Sequence, residues 1–260
     1  MGTGAAAPAA RAHRGDALTA DDLDPYLRWQ VPPDAVLERW DDPEGVAVLQ
    51  QGRQGVPVLT VVGTPATAVR LAPAALEAHD VLRTTLPRGA VEALDQPAPE
   101  AAARLHGGAD WDWFWTDSAP PPQPGEDAVE RLLDADDEVR ELLAVSSPRH
   151  SAVPGTPGIE RWVGLRENGS GRLLACAANE PFRPDVPHLA SVATHPDVRG
   201  RGLGAVVTAA ITRGLLDDGF PVVTLGMYAD NDVARRLYLR LGYVRAHEFT
   251  SRAVRPAPSA

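Results

Sequence analysis

The segment Arg199-Gly200-Arg201-Gly202-Leu203-Gly204 limits what this chain can fold into more than any other part of it. It sits between an apolar strand pattern ending at Thr194 and the clearest helical pattern in the sequence. In that pattern Leu203, Val206, Val207, Ala210, Ile211, Gly214 and Leu215 follow the i, i+3, i+4, i+7 rule. Glycine has no Cβ and lets the backbone turn tightly with successive amides aimed the same way. The helix that follows adds about half a positive charge at its N-terminus. A strand, a glycine turn and a helix in that order form a cradle suited to a pyrophosphate, and Arg199 and Arg201 set fixed positive charge beside it.

Which phosphate ligand such a cradle takes is narrowed by composition and context. All 25 basic residues are arginine, the sequence containing no lysine, and against 35 acidic residues they leave a formal charge of −10. A Walker-type loop ends in Gly-Lys-Ser/Thr and is excluded, as is Schiff-base chemistry. Gly200-Arg201-Gly202-Leu203-Gly204-Ala205 formally satisfies the dinucleotide pattern G-x-G-x-x-[GA]. Its context does not, because a loop with an arginine separates the strand from the first glycine. The next strand also ends Val223-Thr224-Leu225-Gly226, with no acid for ribose hydroxyls. The acidic balance argues against a nucleic-acid partner, whose binding needs a basic surface.

Other classes fall away on single features. The one cysteine, Cys176, precludes an internal disulfide and a multi-cysteine zinc site; within Leu173-Leu174-Ala175-Cys176-Ala177-Ala178 it reads as a buried spectator thiol. The 7 histidines form no close-set pair, so no metal is expected. No apolar run reaches the roughly 18 residues of a membrane span, and the first residues carry neither a secretory apolar core nor a myristoylation pattern. The expected location is cytoplasmic, without a membrane partner. Asn168-Gly169-Ser170 matches a glycosylation sequon but reads as turn chemistry.

With 260 residues and 44% hydrophobic composition, the chain has material for two compact domains. The prolines of Ser118-Ala119-Pro120-Pro121-Pro122-Gln123-Pro124-Gly125 deny amide donors to a helix or central strand. The expected division is a loose tail over 1–18, an N-terminal α/β domain over 19–117, a linker over 118–125, a second domain over 126–250 and a tail over 251–260. In the front domain the pattern gives a helix over Ala20 to Leu27 and a hairpin of Val46–Leu49 with Val58–Val62. It continues with a helix beginning near Pro73 that carries Leu76, Val81 and Leu82. Trp111-Asp112-Trp113-Phe114-Trp115 reads as a strand, either an interdomain or subunit surface or a half-buried edge strand. No motif of assignable chemistry appears there.

The back domain gives a short strand and an acid-capped helix within Val129–Leu143, then a hairpin of Arg161–Arg166 with Arg172–Ala178. A strand over Leu189–Thr194, the glycine loop and the helix from Leu203 follow. Next come a strand over Pro221–Leu225, a helix from Asn231 to Leu241 with Ala234, Leu237, Tyr238 and Leu241 on one face, and a strand over Tyr243–Phe249.

Two stretches of this half resemble a known family. Val192-Ala193-Thr194-His195-Pro196-Asp197-Val198-Arg199-Gly200-Arg201-Gly202-Leu203-Gly204 resembles the acetyl-CoA motif of the GNAT superfamily of acyl-CoA-dependent N-acyltransferases. The motif's Gln/Arg-x-x-Gly-x-Gly/Ala core falls at Arg199, Gly202 and Gly204. Asn231-Asp232-Val233-Ala234-Arg235-Arg236-Leu237-Tyr238-Leu239-Arg240-Leu241-Gly242-Tyr243 is similar to that family's second motif, Asn-x-x-Ala-x-x-Leu-Tyr-x-x-x-Gly-Phe/Tyr. The resemblance covers about residues 126 to 250. It implies an α+β fold: a mixed, mostly antiparallel sheet flanked by helices, whose central strands splay to admit the pantetheine arm of acetyl-CoA. It further implies that backbone groups of Val192 and Thr194 pair with that arm and that an amide near Ala193 stabilises the oxyanion. By the same resemblance Arg199 and the amides of Gly200, Arg201, Gly202, Leu203, Gly204 and Ala205 hold the phosphates, and Asn231 lies near the pantetheine arm. The front domain's element order is compatible with a degenerate copy of this fold, although Val62-Gly63-Thr64-Pro65 lacks the glycine spacing.

The implied reaction is transfer of an acetyl group from acetyl-CoA to a primary amine of a small molecule or peptide. The alternative is a catalytically silent acyl-CoA-binding regulatory module, and a homodimer is the expected assembly. Family position makes Tyr238 the general acid for the leaving thiolate, its ordinary pKa of about 10 lying above about 8.5 for a thiol. Tyr238 equally fits the apolar stripe of a core helix, and Asn231 fits an N-cap. Arg199 and His195 also fit as solvated loop groups. Glu160, Glu180, Asp185, His188 and Glu248 lie at strand ends, and none is singled out as the base.

Overall fold

The computed structural model describes residues 11–13, 24–52 and 55–256. The chain forms two compact units. One takes the chain up to Trp111 and again from His247; the other is Asp112–Ala246. The division thus falls before the proline-rich segment. That segment lies within the second unit, where Arg213 donates to the Pro120 carbonyl at 2.7 Å and to Glu126 at 3.1 Å.

The first unit contains β1 (Arg11–His13), α1 (Pro25–Gln30), β2 (Val36–Asp42), β3 (Gly45–Gln51), β4 (Pro57–Val62) and α2 (Pro65–Ala78). After these come β5 (Arg83–Pro87), α3 (Ala90–Leu94), α4 (Pro99–Arg104) and the start of β6 (Leu105–Thr116). Strands β1 to β4 pair antiparallel in sequence order, and β5 joins β4 in parallel after the α2 crossover. The expected hairpin is present, in register from Val46↔Val62 to Gln51↔Pro57.

Helix α2 begins eight residues before its expected start at Pro73. Thr64 caps it, with reciprocal hydrogen bonds to Thr67, and Pro65 occupies the first turn, where no amide donor is needed. The buried face is largely alanine (Ala68, Ala72, Ala75) with Leu71 and Leu76, too small a signal for periodicity to detect. Val81 lies buried beyond the helix, and Leu82 is exposed. Asp24 caps α1 by accepting from the amides of Tyr26 and Leu27, while residues 20–23 of the helix expected there lie outside the described residues. Neither expected tail is wholly loose: Arg11–His13 pair with β2, and Ser251–Ala253 pair with β5.

The second unit takes the rest of β6, then β7 (Glu130–Arg131), α5 (Asp136–Ser146), β8 (Arg161–Arg166), β9 (Leu173–Asn179) and β10 (His188–Thr194). It continues with α6 (Leu203–Asp217), β11 (Val223–Tyr228), α7 (Asp232–Arg240) and the start of β12 (Val244–Val254). Its strand order is β6-β11-β10-β9-β8-β7, antiparallel from β7 to β10 and parallel between β10 and β11. Strand β9 is buried at every residue because both faces are covered. Ala175, Ala177 and Leu189 join the cluster of α6, while Cys176, Ala178 and Ala190 join that of α5. The strand expected over Trp111–Trp115 is β6. Asp112, Trp113 and Phe114 are all buried, so both faces are covered and the edge-strand reading does not hold.

Candidate active site

The site is built by a failure of strand pairing. β10 and β11 are in register only at His188↔Thr224 and Leu189↔Leu225, and beyond these pairs the strands part. The cause lies in β10, where the register with β9 shifts between Ala190 and Ala193. Ser191 in that bulge has φ +49°, a left-handed conformation unusual for a residue with a Cβ. Its hydroxyl accepts from the Ala152 amide at 2.9 Å and donates to the Ala152 carbonyl at 3.0 Å, which holds the bulge in place.

After the bulge the Ala193 amide lies against the Cys176 sulfur, and the His195 amide donates to Leu174 O at 2.8 Å, both on the β9 side. Alternation turns the Thr194 backbone to the open side. The Ala193 amide faces away from the gap, so an oxyanion donor at that amide does not fit this geometry.

The gap leads to the glycine loop. Gly200 and Gly202 have φ of +79° and +81°, and a Cβ at either would meet nothing within 4 Å, so the loop is both glycine-dependent and open. Gly202 is the N-cap of α6 and gives it no side-chain hydrogen bond, leaving the amides of Leu203 and Gly204 for an external acceptor, whereas the Ala205 amide, expected to join them, donates to the Gly202 carbonyl at 2.9 Å. The crossover helix α2 of the first unit starts differently, with Thr64 capping its first turn from within. At Gly204 a Cβ would come within 3.3 Å of Leu237 Cδ1 and 3.4 Å of Thr194 Oγ1, so glycine here allows the loop, β10 and α7 to approach closely.

Arg199 donates to the carbonyls of Ser146 at 2.9 Å and Thr194 at 3.4 Å, tying the loop to the end of α5, whereas Arg201 is exposed. The His195 ring accepts from the Asp197 amide at 3.3 Å, a local loop bond. Open glycines, an uncapped helix start and adjacent arginine fit a pyrophosphate, and the parted strands fit an extended amide-bearing arm.

A strap crosses this gap. From Ser146, held by Arg199, the chain runs to Ala152, held by Ser191 of β10. Between them Arg149 lies 4.3 Å over the Tyr228 ring and 2.9 Å from Asp230, at the end of β11. The arginine is thereby kept charged and Asp230 is held below the usual carboxylate range.

Two buried tyrosines of α7 and its exit turn differ in a telling way. The Tyr243 hydroxyl is paired with Thr212 Oγ1 at 2.6 Å. The Tyr238 ring is buried against Phe114 and Tyr243, with centroids 6.0 and 5.9 Å away, yet its hydroxyl has no partner among the described residues. Burial pushes the Tyr238 pKa up to about 12, so the phenol stays protonated throughout the physiological range. Asn231 accepts from the Ala234 amide at 3.1 Å, the N-cap role its position suggested.

The candidate bases divide. At the closed end of the gap, His188 Nδ1 lies 2.9 Å from Thr224 Oγ1, and Asn179 accepts from the His188 amide at 3.0 Å and donates to Glu160 at 3.0 Å, with Glu180 buried alongside. Asp185 is bound by Arg183 at 2.7 Å, which holds its carboxyl below the usual range. Glu248 belongs to the first unit and is paired with Arg88 at 2.8 Å. Cys176 is fully buried with its thiol pushed up to about 12, unsuited to nucleophilic work. Among the described residues no group of three or more His, Cys, Asp or Glu is placed to hold a metal ion, and no helix is long and apolar enough to cross a membrane.

Sequence reasoning missed Asp112, a fully buried carboxylate on β6 that Arg235 of α7 reaches at 2.9 Å. The signal was present: an acid between two tryptophans in a strand pattern must find a cation if both faces are covered.

Strands that part above an uncapped, glycine-led helix define an acyltransferase fold of the GNAT type, and comparison with known proteins agrees. Residues 162–252 match the family described as FR47-like protein. The chain is 36% identical over 86 residues to the mycothiol acetyltransferase of Paenarthrobacter aurescens (strain TC1), covering 31% of this chain and 27% of that protein. The matched segment thus spans about a quarter of that relative's length. In fold it is similar to a GCN5-related N-acetyltransferase from Sphaerobacter thermophilus, with a TM-score of 0.55 at 14% identity, covering 89% of this chain and 84% of that one. A GNAT-family structure from Novosphingobium aromaticivorans gives 0.51 at 23% identity, covering 80% and 86%. Residues 162–252 thus carry the family match, and the fold is of the GNAT type.

Proposed function

We propose that the protein is an N-acetyltransferase that uses acetyl-CoA to acetylate a primary amine, with the second unit carrying the site. The observation that carries this reading is the gap between β10 and β11 opening onto the uncapped glycine start of α6, with the unpartnered Tyr238 hydroxyl on the neighbouring helix. Bound acetyl-CoA supplies the thioester that the amine attacks and the thiol that leaves. Amides from Gly200 to Gly204 bind and orient the phosphates, the Thr194 amide faces the pantetheine arm, and Tyr238 donates a hydrogen bond to the leaving sulfur. Glu180 and His188, at the closed end of the gap, are where we place receipt of the amine proton, either directly or through water.

The first unit follows the element order of the second (one strand, a helix, three strands, a helix, a parallel strand, helix, strand), except that two short helices, α3 and α4, stand before its last strand where the second unit has one. We read it as a copy of the fold that has lost the phosphate site, since Thr64 occupies the helix start. The reaction is proposed to be cytoplasmic.

The test is release of free thiol from acetyl-CoA over a panel of amines that includes the acceptor of mycothiol acetyltransferase, alongside calorimetric titration with CoA. Binding with thiol release on at least one amine supports the reading. Tight binding with no release on any amine replaces it with a silent acyl-CoA-binding module.

A further inference from the structure

Asp112 is a carboxylate buried at 0% exposure. A buried carboxylate stays ionised only with compensating charge and hydrogen bonds. Arg235 Nε supplies one at 2.9 Å, and Arg245 lies at 3.5 Å. The remaining donors of Arg235 bind the Ala229 carbonyl, in the turn entering α7, and Asp232, in its first turn. One carboxylate on β6 thereby fixes, through one guanidinium, both the entry and the first turn of α7.

The tether acts on a short helix: α7 is 9 residues long, Tyr238 is its one buried residue, and Ala234 and Leu237 are partly buried against the same cluster. Arg235 and Tyr238 are three apart and share a helix face. Asp112 and Phe114 are two apart and share a strand face. The two pairs meet, Arg235 on Asp112 and Tyr238 against Phe114 at 6.0 Å between ring centroids. A shift of α7 along β6 would break the ion pair and displace the tyrosine ring together.

We infer that Asp112 is a positioning residue: through Arg235 it sets the register of α7 on β6 and so the place of the Tyr238 hydroxyl at the gap. The inference rests on the proposed donor role of Tyr238. Asp112 lies outside the residues that match the family, 162–252, so the strand before the matched region completes the site.

The test uses the full chain with ring-labelled tyrosine, titrated by NMR, with Tyr238→Phe assigning the signal among the 4 tyrosines. In Asp112→Asn the Tyr238 midpoint should fall by at least about one pH unit from about 12 toward its ordinary 10.0 as the ring is hydrated, while Tyr243, held by Thr212, keeps its own. Turnover should fall at least about tenfold with CoA affinity within about twofold, and Asp112→Asn should add nothing in a Tyr238→Phe background. An unmoved Tyr238 signal in folded Asp112→Asn, or additive losses in the double variant, overturns the inference. If Asp112→Asn does not fold, Arg235→Lys, which keeps a cation for Asp112 but loses the fork to Ala229 and Asp232, is put to the same measurements and the same outcomes decide. A chain with no turnover on any amine sinks the proposed function, and the Tyr238 titration then still decides the positioning.

Discussion

Tyr238→Phe separates a hydrogen-bond donor from a core tyrosine because the structure fixes both what it should cost and what it should leave alone. The hydroxyl has no partner among the described residues, so its removal strands no other group and the ring keeps its contacts with Phe114 and Tyr243. Stability should change by less than about 0.5 kcal/mol. The buried phenol, at about 12, is a far weaker acid than the thiol, at about 8.5, which leaves. Full proton transfer would run uphill by about 3.5 pH units, or about 5 kcal/mol. Donation of a hydrogen bond to the developing thiolate is therefore the role this geometry supports, and a bond to a charged group is worth about 1.5–3 kcal/mol. That converts to about a 10- to 150-fold loss in kcat, with acetyl-CoA affinity unchanged within about twofold. The assay is thiol release under saturating amine, repeated with acyl donors of more acidic leaving thiols, for which the loss should shrink. An undiminished kcat, or a loss independent of thiol acidity, refutes the reasoning, and a drop of several degrees in Tm assigns the hydroxyl to the core instead.

Gly202→Ala places a Cβ in open space at φ +81°, so its cost is backbone strain of about 1–2 kcal/mol in urea denaturation; CoA affinity should fall at least about tenfold by calorimetry if this turn holds the phosphates. Tyr243→Phe loses the bond to Thr212 and should cost about 1 kcal/mol of stability with kcat unchanged. Cys176 should resist thiol reagents in the native state at pH 7–8 and react on unfolding, measured by absorbance with an aromatic disulfide. Its pKa is raised from 9.0 to about 12 by burial, so the unfolded chain loses this proton first. The contribution is fully present below about pH 9 and is lost as pH rises toward about 12, with an upper bound of about 4 kcal/mol. Cys176→Ala should flatten that alkaline decline, as followed by denaturation midpoints from pH 8 to 11.

The sequence alone determined the stretch from Leu189 to Tyr243, because every signal there is local. Three glycines between a strand and a helix, Asn231 at a helix start and a four-turn apolar stripe in α6 each act within a few residues, where covalent geometry decides the conformation. Local signals misled where small or apolar residues hid the pattern, as in α2, whose alanine face begins well before Pro73.

What the tertiary structure decided is which distant segments meet. No local rule shows that β6 and β12 each run from one unit into the other, that Ser191 and Ala152 lock the bulge, or that the Ala193 amide turns toward Cys176 and away from the gap. Nor does any show that Asp112 finds Arg235, 123 positions along the chain. Such pairings depend on the whole sheet, since a buried charge or an unpaired strand edge is satisfied by whatever group the topology brings to it. The sequence supplied the glycine loop and Tyr238; the assembled sheet parted β10 from β11 and set α7, which carries that tyrosine, against β6.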